Sequence, residues 1–232
     1  MPLMSEQLAT HTVDSEGPSG KASPDSREPG QTGSEDLLGA PSPTRGLGWL
    51  LTVGGFLGFL ASFVLMVERI ELLKDPLYIP SCSLDAVLSC GSVMTTPQAA
   101  LFGFPNPLIG VAAFPAVVTV GAAVLAGARL PRWFWLGLQL GATLGTVFVH
   151  WLMFQSFFNI SALCPYCMVV WAVTVPIFWY TTTHNIERGH LRLGGFGRAL
   201  VAYRGPVLAA WALSVVGLVV AVFWTHWSQL LS

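Results

Sequence analysis

The chain has 232 residues, of which 53% are hydrophobic and only 10% charged, and its formal net charge is −1. This charged fraction is far below the roughly 25% of soluble globular domains. Composition therefore excludes an ordinary water-soluble domain, and a near-zero net charge without a basic patch excludes a nucleic-acid-binding protein. We predict an integral membrane protein that lies in the lipid bilayer and has no nucleic-acid partner.

The amino-terminal segment, residues 1–45, differs from the rest of the chain. Its first 40 residues hold seven of the twelve acidic residues and two of the eleven basic ones, together with many Ser, Gly and Pro. Apolar side chains are too sparse there to offset the entropy of ordering a backbone, and the pattern of a signal peptide is absent. We predict a disordered cytoplasmic tail, followed by a membrane domain over residues 46–232.

Five stretches of the membrane domain are apolar over about 20 residues, the length of helix that crosses a bilayer core of roughly 30 Å. They lack the alternation of barrel strands, so we expect an all-α fold. Proline falls in the first turn of several stretches, where its missing N–H costs nothing. The predicted spans are approximately residues 47–67, 107–127, 133–157, 163–183 and 206–226.

Basic residues predict the orientation of this domain. Nine of the eleven lie in the tail and in the second and fourth connections, and the positive-inside rule assigns that side to the cytoplasm. The amino terminus is then cytoplasmic, while the long loop 68–106, the turn near 158–162 and the carboxy terminus lie outside. The nine residues are Lys21, Arg27, Arg45, Arg129, Arg132, Arg188, Arg192, Arg198 and Arg204.

Glycines recur at short spacing on two of the predicted helices. Gly54, Gly55 and Gly58 lie on the first, and Gly141 and Gly145 lie on the third. Such spacing is common where transmembrane helices approach closely, so we interpret both sets as helix-packing positions.

All four cysteines fall on the predicted outer side, where disulfides persist. Cys82 and Cys90 lie in the long loop, and Cys164 and Cys167 form a C-x-x-C pair at the outer end of the fourth span. Two inert disulfides that staple outer loops are one interpretation. A C-x-x-C disulfide closes too short a loop to add much stability, which favours redox exchange. Zinc competes, but the spacing of Cys82 and Cys90 is not that of a zinc knuckle, and we predict no metal site.

The neighbours of each cysteine pair refine this hypothesis. If Cys164 is the N-cap and Pro165 the first helical residue, free amides and the helix dipole stabilise a reactive Cys164 thiolate. In an unbroken helix Cys82 and Cys90 would be roughly 12 Å apart, whereas a disulfide needs Cα atoms within about 7 Å. Either the loop bends so that the two can bond, or each bonds a different partner at different times.

Other polar residues allow two interpretations each. His150, in the outer half of the third span, either delivers protons or bonds a neighbouring helix. Asp85 either raises the pKa of the Cys82 thiol or, as we favour, caps or solvates the loop. A charged stretch leaves the first helix, and we interpret it as a solvated face with i,i+3 or i,i+4 pairs. It consists of Glu68, Arg69, Glu71 and Lys74.

The order of these motifs resembles the vitamin K epoxide reductase family, specifically bacterial members that act as quinone-linked oxidases in disulfide-bond formation. The resemblance covers about residues 47–183, and two cysteine pairs in order make it specific. The matching segments are residues 80–84 (PSCSL), 88–94 (LSCGSVM), 102–107 (FGFPNP) and 164–167 (CPYC).

The resemblance implies a four-helix bundle around a quinone of the menaquinone or ubiquinone type, with a fifth helix beside it. It implies that Cys167 donates electrons to the quinone, that Cys164 exchanges with Cys90, and that Cys82 meets an external thiol partner. Many members carry a fused thioredoxin-like domain after the last span. This chain ends at Ser232, so we expect a separate thioredoxin-like disulfide oxidant as its partner.

The resemblance also implies two residues near the quinone, Asn106 and Trp171. Asn106 corresponds to the asparagine that hydrogen-bonds a quinone carbonyl, although it is also placed to cap the helix that Pro107 begins. Trp171 falls where an aromatic residue lies near the ring, although tryptophans in membrane proteins mostly pack or anchor the interface. His150 does not come from the resemblance; as an ionisable residue inside a predicted span, it is a separate candidate for proton delivery to the reduced quinone.

The sequence thus predicts a multi-pass cell-membrane oxidoreductase with its active cysteines on the extracytoplasmic side. It would reoxidise the thioredoxin-like partner and pass electrons to the membrane quinone pool, in support of disulfide-bond formation. Two alternatives stay open. One is reduction of a quinone or of vitamin K epoxide in another pathway, and the other is a non-catalytic membrane protein with two structural disulfides.

Overall fold

The computed structural model describes residues 43–85, 87–191, 193–224 and 228. The predicted tail lies outside the described residues except for its last three positions, and so do residues 225 and 226 of the last predicted span. Regular structure in the described part is helical. The elements are α1 (Pro43–Lys74), α2 (Cys90–Met94), a 3₁₀ turn (Pro97–Ala100), α3 (Pro107–Leu125), α4 (Arg132–Gln155), a π-helical turn (Ser156–Ile160), α5 (Pro165–Glu187), α6 (Gly194–Ala202) and α7 (Arg204–Val222).

The predicted all-α membrane fold is confirmed. Helix α5 coincides with the predicted span 163–183 and has 23 residues, which is long enough for a bilayer core, although its Thr, Tyr, His and Asn residues make it less apolar. The number of crossings and their orientation stay predictions. The described segments long and apolar enough to cross a membrane are Arg45–Lys74, Pro107–Leu125, Arg132–Ile160 and Arg204–Val222.

The connections contain more helix than the sequence predicts. Helix α1 continues to Lys74, so the first seven residues assigned to the loop 68–106 are helical. The apolar run ends earlier, but charged residues such as Glu, Arg and Lys are good helix formers. Glu71 and Lys74 form an exposed i,i+3 ion pair with an N···O distance of 2.7 Å, as predicted for this stretch. The connection before α7 contains α6, for which no element was predicted.

Helix α5 is the centre of the bundle. It packs against α1, α4, α6 and α7, while α1 also packs against α3. The principal contacts of α3 are therefore with α1, and those of α4 are with α5. This arrangement leaves room between α3 and α4, and that space becomes important for the functional site. None of the side chains along α7 is buried, as suits a helix that faces lipid.

The glycines of α1 confirm the prediction of close helix packing. A Cβ atom added to Gly58 would lie 2.5 Å from the ring of Phe114 on α3, and one added to Gly55 would lie 2.9 Å from Val118 Cγ2. Both distances are too short for non-bonded carbon atoms. The absence of side chains at these positions lets α1 and α3 approach each other.

The glycines of α4 contradict the same prediction. A Cβ atom added to Gly137 or Gly141 would meet nothing within 4 Å, and one added to Gly145 would meet only Thr174 Cγ2 at 3.7 Å. Gly137 and Gly141 face an open cavity instead of a neighbouring helix, whereas Gly145 lines the same cavity beside Thr174 of α5. The spacing of small residues is the same in both situations, so the sequence pattern alone does not distinguish them.

A polar cluster lies in the half of α5 that is far from the cysteines. Asn185 is fully buried, and its Nδ2 donates to Trp135 O at 3.3 Å and to Gln139 Oε1 at 3.1 Å. Gln139 Nε2 in turn donates to Thr182 Oγ1 at 2.8 Å, and the Asn185 Oδ1 lies 3.0 Å from His190 Nδ1. We call these five residues the amide cluster. Because its members bond one another, α5 can carry polar side chains inside an apolar bundle.

Candidate active site

The loop between α1 and α2 bends so that Cys82 and Cys90 form a disulfide, with their Cα atoms 5.6 Å apart. Asp85 is central to the bend, because its Oδ1 accepts from the backbone N–H groups of Val87 and Leu88, both at 2.8 Å. The structure therefore shows the bent loop of the first alternative, in a redox state in which the two cysteines are bonded to each other. Asp85 caps the loop, as we favoured.

Backbone hydrogen bonds fasten this loop to the segment that precedes α5. Ser89 N donates to Leu163 O at 2.9 Å, and Leu163 N donates to Val87 O at 2.7 Å. The two bonds bring Cys90 and Cys164 side by side, with an Sγ···Sγ distance of 3.1 Å. Both residues are buried, with exposed fractions of 0% and 1%. A free sulfur in contact with a disulfide sulfur is the arrangement from which thiol–disulfide exchange proceeds.

The start of α5 has the geometry predicted from the C-x-x-C motif. Cys164 is the N-cap residue, Pro165 is the first helical residue, and Cys164 Sγ accepts from the backbone N–H of Cys167 at 3.4 Å. Cys164 and Cys167 are both free thiols. An N-terminal helix dipole and a donating amide favour the thiolate form of a capping cysteine. A stabilised thiolate makes Cys164 suited to act as a leaving group in disulfide exchange.

A cavity of about 510 Å³ adjoins the cysteines on the other side. It lies between α3 and α4, and residues of α2 and of the 3₁₀ turn also line it. Cys167 belongs to its wall, whereas Cys164 does not. The cysteine pair of α5 therefore connects the loop disulfide with the cavity. The cavity wall includes Met94, Asn106, Gly110, Phe114, Val117, Gly137, Gly141, Gly145, Phe148, Cys167, Trp171 and Ile177.

Asn106 belongs to the wall of this cavity. It occupies the N-cap position of α3, but its side chain makes no capping hydrogen bond, which contradicts the capping alternative. Its Nδ2 donates to Gln98 O at 2.7 Å, and its Oδ1 accepts from Leu101 N at 3.2 Å. These bonds hold the amide in one orientation on the cavity wall.

Of the two other residues predicted near the quinone, Trp171 lines the cavity and His150 does not. Trp171 is buried, lines the cavity and contacts Phe157 edge to face, with ring centroids 6.0 Å apart. His150 is exposed and does not belong to the cavity wall. Its Nε2 accepts from Trp211 Nε1 at 3.0 Å, which joins α4 to α7. This is the second interpretation of His150, a histidine bonded to a neighbouring helix.

Sequence reasoning missed the role of Glu68. Instead of lying on a solvated face it is buried, with 6% of its surface exposed. Its carboxylate accepts from Tyr78 Oη at 2.9 Å, from Ser81 N at 3.3 Å and from Ser81 Oγ. The hydrogen bond to this carboxylate raises the pKa of the Tyr78 phenol. Glu68 thus anchors Ser81, the residue next to Cys82. In the sequence, the burial of Glu68 is indicated only by the polar residues Tyr78 and Ser81 on the loop that follows α1.

A comparison with protein-family models supports the interpretation of this site. The model of the vitamin K epoxide reductase family matches residues 49–182. The matched region contains all four cysteines and extends from α1 into α5, so it includes the loop disulfide, the C-x-x-C pair and the cavity that adjoins Cys167. No curated protein gives a significant match to the chain. The matched region covers more than half of the chain, which therefore belongs to the vitamin K epoxide reductase family and is a membrane oxidoreductase.

Proposed function

We propose that this protein is a quinone-dependent thiol–disulfide oxidoreductase. It oxidises the dithiol of a separate thioredoxin-like partner outside the membrane and passes two electrons through its two cysteine pairs to a membrane quinone. The observation that carries the proposal is the 3.1 Å contact between Cys90 Sγ and Cys164 Sγ. It connects a loop disulfide to a thiol pair whose other member, Cys167, faces the cavity.

The first half of the cycle takes electrons from the partner. A partner thiolate attacks Cys82 Sγ, the Cys82–Cys90 bond breaks, and Cys90 leaves as a thiolate. The second thiol of the partner then displaces Cys82, which leaves the partner oxidised. Cys82 is 6% exposed and its neighbour Leu84 is 70% exposed. Attack at Cys82 therefore requires a small outward movement of the loop.

The second half moves the electrons toward the membrane. The Cys90 thiolate attacks Cys164 in an oxidised Cys164–Cys167 pair, and Cys167 leaves as a thiolate. Cys82 then displaces Cys164 from Cys90 and restores the loop disulfide. The products are a Cys82–Cys90 disulfide and a reduced Cys164–Cys167 pair, which is the redox state of the structure. Two electrons and two protons have moved from the partner to the pair beside the cavity.

The cavity fits a quinone by size and polarity. Its volume of about 510 Å³ falls within the roughly 300–1,000 Å³ of small-molecule sites. Asn106 and Trp171 would bind the ring near Cys167, while Gly137, Gly141 and Gly145 leave space along α4 for a hydrocarbon tail. A bound quinone supplies a two-electron, two-proton acceptor. The thiols of Cys164 and Cys167 close to a disulfide as they release those electrons and protons.

A specific observation weakens the non-catalytic alternative. That alternative requires two structural disulfides, whereas Cys164 and Cys167 are free thiols and Cys164 contacts the loop disulfide. Reduction of vitamin K epoxide would use the same four cysteines. The two reactions differ only in the compound that accepts electrons in the cavity, so assays with each compound distinguish them.

The proposal is tested by quinone reduction in membrane vesicles with a reduced thioredoxin-like donor. We expect Cys167→Ala to reduce turnover to background, because no thiol then reaches the cavity. Val169→Ala is the matched control, since this side chain lies on the same helix, is exposed and does not line the cavity. Turnover of Cys167→Ala at the wild-type rate would refute the proposed electron path.

A further inference from the structure

The sulfur atoms of three of the four cysteines form one compact cluster. The Sγ atoms of Cys82, Cys90 and Cys164 all lie within 4.8 Å of one another, and all three residues are buried. The exchange mechanism uses these sulfurs two at a time. When the loop disulfide is reduced, however, three thiols are held together in the same place.

The spacing of this cluster suits a thiophilic metal ion. Zn–S bonds of about 2.3 Å place the sulfurs of a tetrahedral site about 3.8 Å apart. The Cys90–Cys164 separation of 3.1 Å and the 4.8 Å limit of the whole group bracket that value. Reduction breaks the covalent bond between Cys82 and Cys90, so these two sulfurs need only move a short distance apart to reach the spacing of a metal site.

Three separate backbone segments hold the ligands in place. Cys82 follows Ser81, which is bonded to Glu68, Cys90 begins α2, and Cys164 is the N-cap of α5. The hydrogen bonds of Leu163 to the residues around Cys90 tie two of these segments together. The spacing of Cys82 and Cys90 by itself does not predict a zinc site, but the fold supplies Cys164 as a third ligand.

The apolar surroundings of the cluster favour three thiolates bound to one cation over three unbound thiolates. The cluster packs with apolar side chains such as Leu65 and Met94, where isolated negative charges are costly. A divalent cation with three thiolates has a net charge of −1. The backbone N–H of Cys167 and the amino-terminal end of α5 lie against Cys164 Sγ and stabilise that charge.

We propose that the protein with its loop disulfide reduced binds one thiophilic divalent cation, such as Zn²⁺, through Cys82, Cys90 and Cys164. An external dithiol, or a phosphine in vitro, supplies the two electrons that open the disulfide. Binding converts three thiols into three metal-bound thiolates and releases three protons. The oxidised protein lacks two of the ligands and does not bind. A bound cation occupies the sulfurs needed for exchange, so it inhibits the enzyme by holding it in the reduced state.

The test is a titration of the purified full-length protein with Cd²⁺, which reports thiolate binding through its ultraviolet charge-transfer absorption. After reduction with a phosphine, we expect one Cd²⁺ per chain, and we expect none in the oxidised protein. Single substitutions Cys82→Ser, Cys90→Ser and Cys164→Ser each weaken binding by at least roughly tenfold. The control Cys167→Ser keeps one binding site, because Cys167 is not a member of the three-sulfur cluster.

Three results would overturn the inference. They are the absence of a charge-transfer band in the reduced protein, equal binding by the oxidised protein, and unchanged binding in all three ligand variants. Circular dichroism of each variant verifies that its helices are intact. The quinone-reduction assay is run without added metal, so the two proposals fail independently. A protein that transfers electrons but binds no Cd²⁺ refutes only the metal site.

Discussion

The two ends of the bundle both contain buried polar or sulfur groups, but the groups are bonded in different ways. In the amide cluster, Asn185 is fully enclosed and its donors and acceptor all have partners. At the other end, Cys164 is equally buried, yet its sulfur is free and touches a disulfide. A cluster whose bonds are complete stabilises one structure, whereas adjacent sulfurs in two oxidation states allow a bond to be exchanged.

The cavity distinguishes the two ends further. Its wall includes Cys167, Trp171 and Asn106 near the cysteines, while Asn185 and Gln139 of the amide cluster do not belong to it. Under the proposed function, the thiol end performs the chemistry, while the hydrogen bonds of the amide end hold the helices together. Substitutions at the two ends should therefore affect different measurements.

The largest expected effect on activity is that of Cys164→Ser. The serine hydroxyl keeps a capping group for α5 but forms no disulfide, so donor-dependent quinone reduction should fall to background. The free energy of unfolding should change by less than about 1 kcal/mol, because one partly polar side chain replaces another at the cap. If Cys164→Ser unfolded the protein enough to explain its loss of activity, the thiol end would be needed for stability, and the proposed difference between the two ends would be wrong.

The largest expected effect on stability is that of Asn185→Ala. It leaves the buried partners on Trp135 and Gln139 and the half-buried His190 without their bonds, so we expect a loss of about 2–3 kcal/mol in the free energy of unfolding. Unfolding in a detergent or denaturant titration measures it. Asn159→Ala, at an exposed position, is the control and should cost far less. Thiol exchange in the folded fraction of Asn185→Ala should proceed at the wild-type rate.

A substitution in the cavity should separate quinone reduction from thiol exchange. Gly141→Leu places a large side chain in the open space beside α4, and we expect it to raise the apparent KM for quinone about tenfold, or ~1.4 kcal/mol. Reduction of the loop disulfide by the donor should be unaffected. Gly217→Leu on α7 also meets open space but lies outside the cavity wall, so it should leave the KM unchanged.

The smallest expected effect is that of Glu68→Gln, which removes the charge that anchors the loop and should change the titration of Tyr78. Its pKa is raised because its hydroxyl donates to the Glu68 carboxylate. A raised pKa in the folded state means that this hydrogen bond contributes stability below pH 10 and loses it as the pH rises through the folded pKa. Phenolate absorbance, with Tyr78→Phe subtracted to isolate this residue, should show a pKa closer to 10 in Glu68→Gln. An unchanged titration would contradict the role of Glu68 as the anchor.

Much of this molecule was predictable from local sequence. Long apolar runs located the helices, since bilayer thickness fixes their length, and proline after Cys164 located the start of α5. The order of the cysteine motifs along the chain, through the family resemblance that it carries, predicted that Cys90 and Cys164 lie near each other. Burial of Glu68 depends on a loop that folds back on α1, and the function of Gly141 depends on which neighbour faces it. Neither is a property of a short segment, so neither could be predicted from spacing.

The most direct test of the electron path uses a variant with only two cysteines. Cys82→Ser/Cys167→Ser keeps only Cys90 and Cys164, whose Sγ atoms are 3.1 Å apart in the structure. Mild oxidation followed by alkylation and peptide mass spectrometry should find a Cys90–Cys164 disulfide in nearly all molecules. Recovery of both cysteines as alkylated free thiols, in protein that retains its helices, would contradict the transfer of electrons between the two pairs.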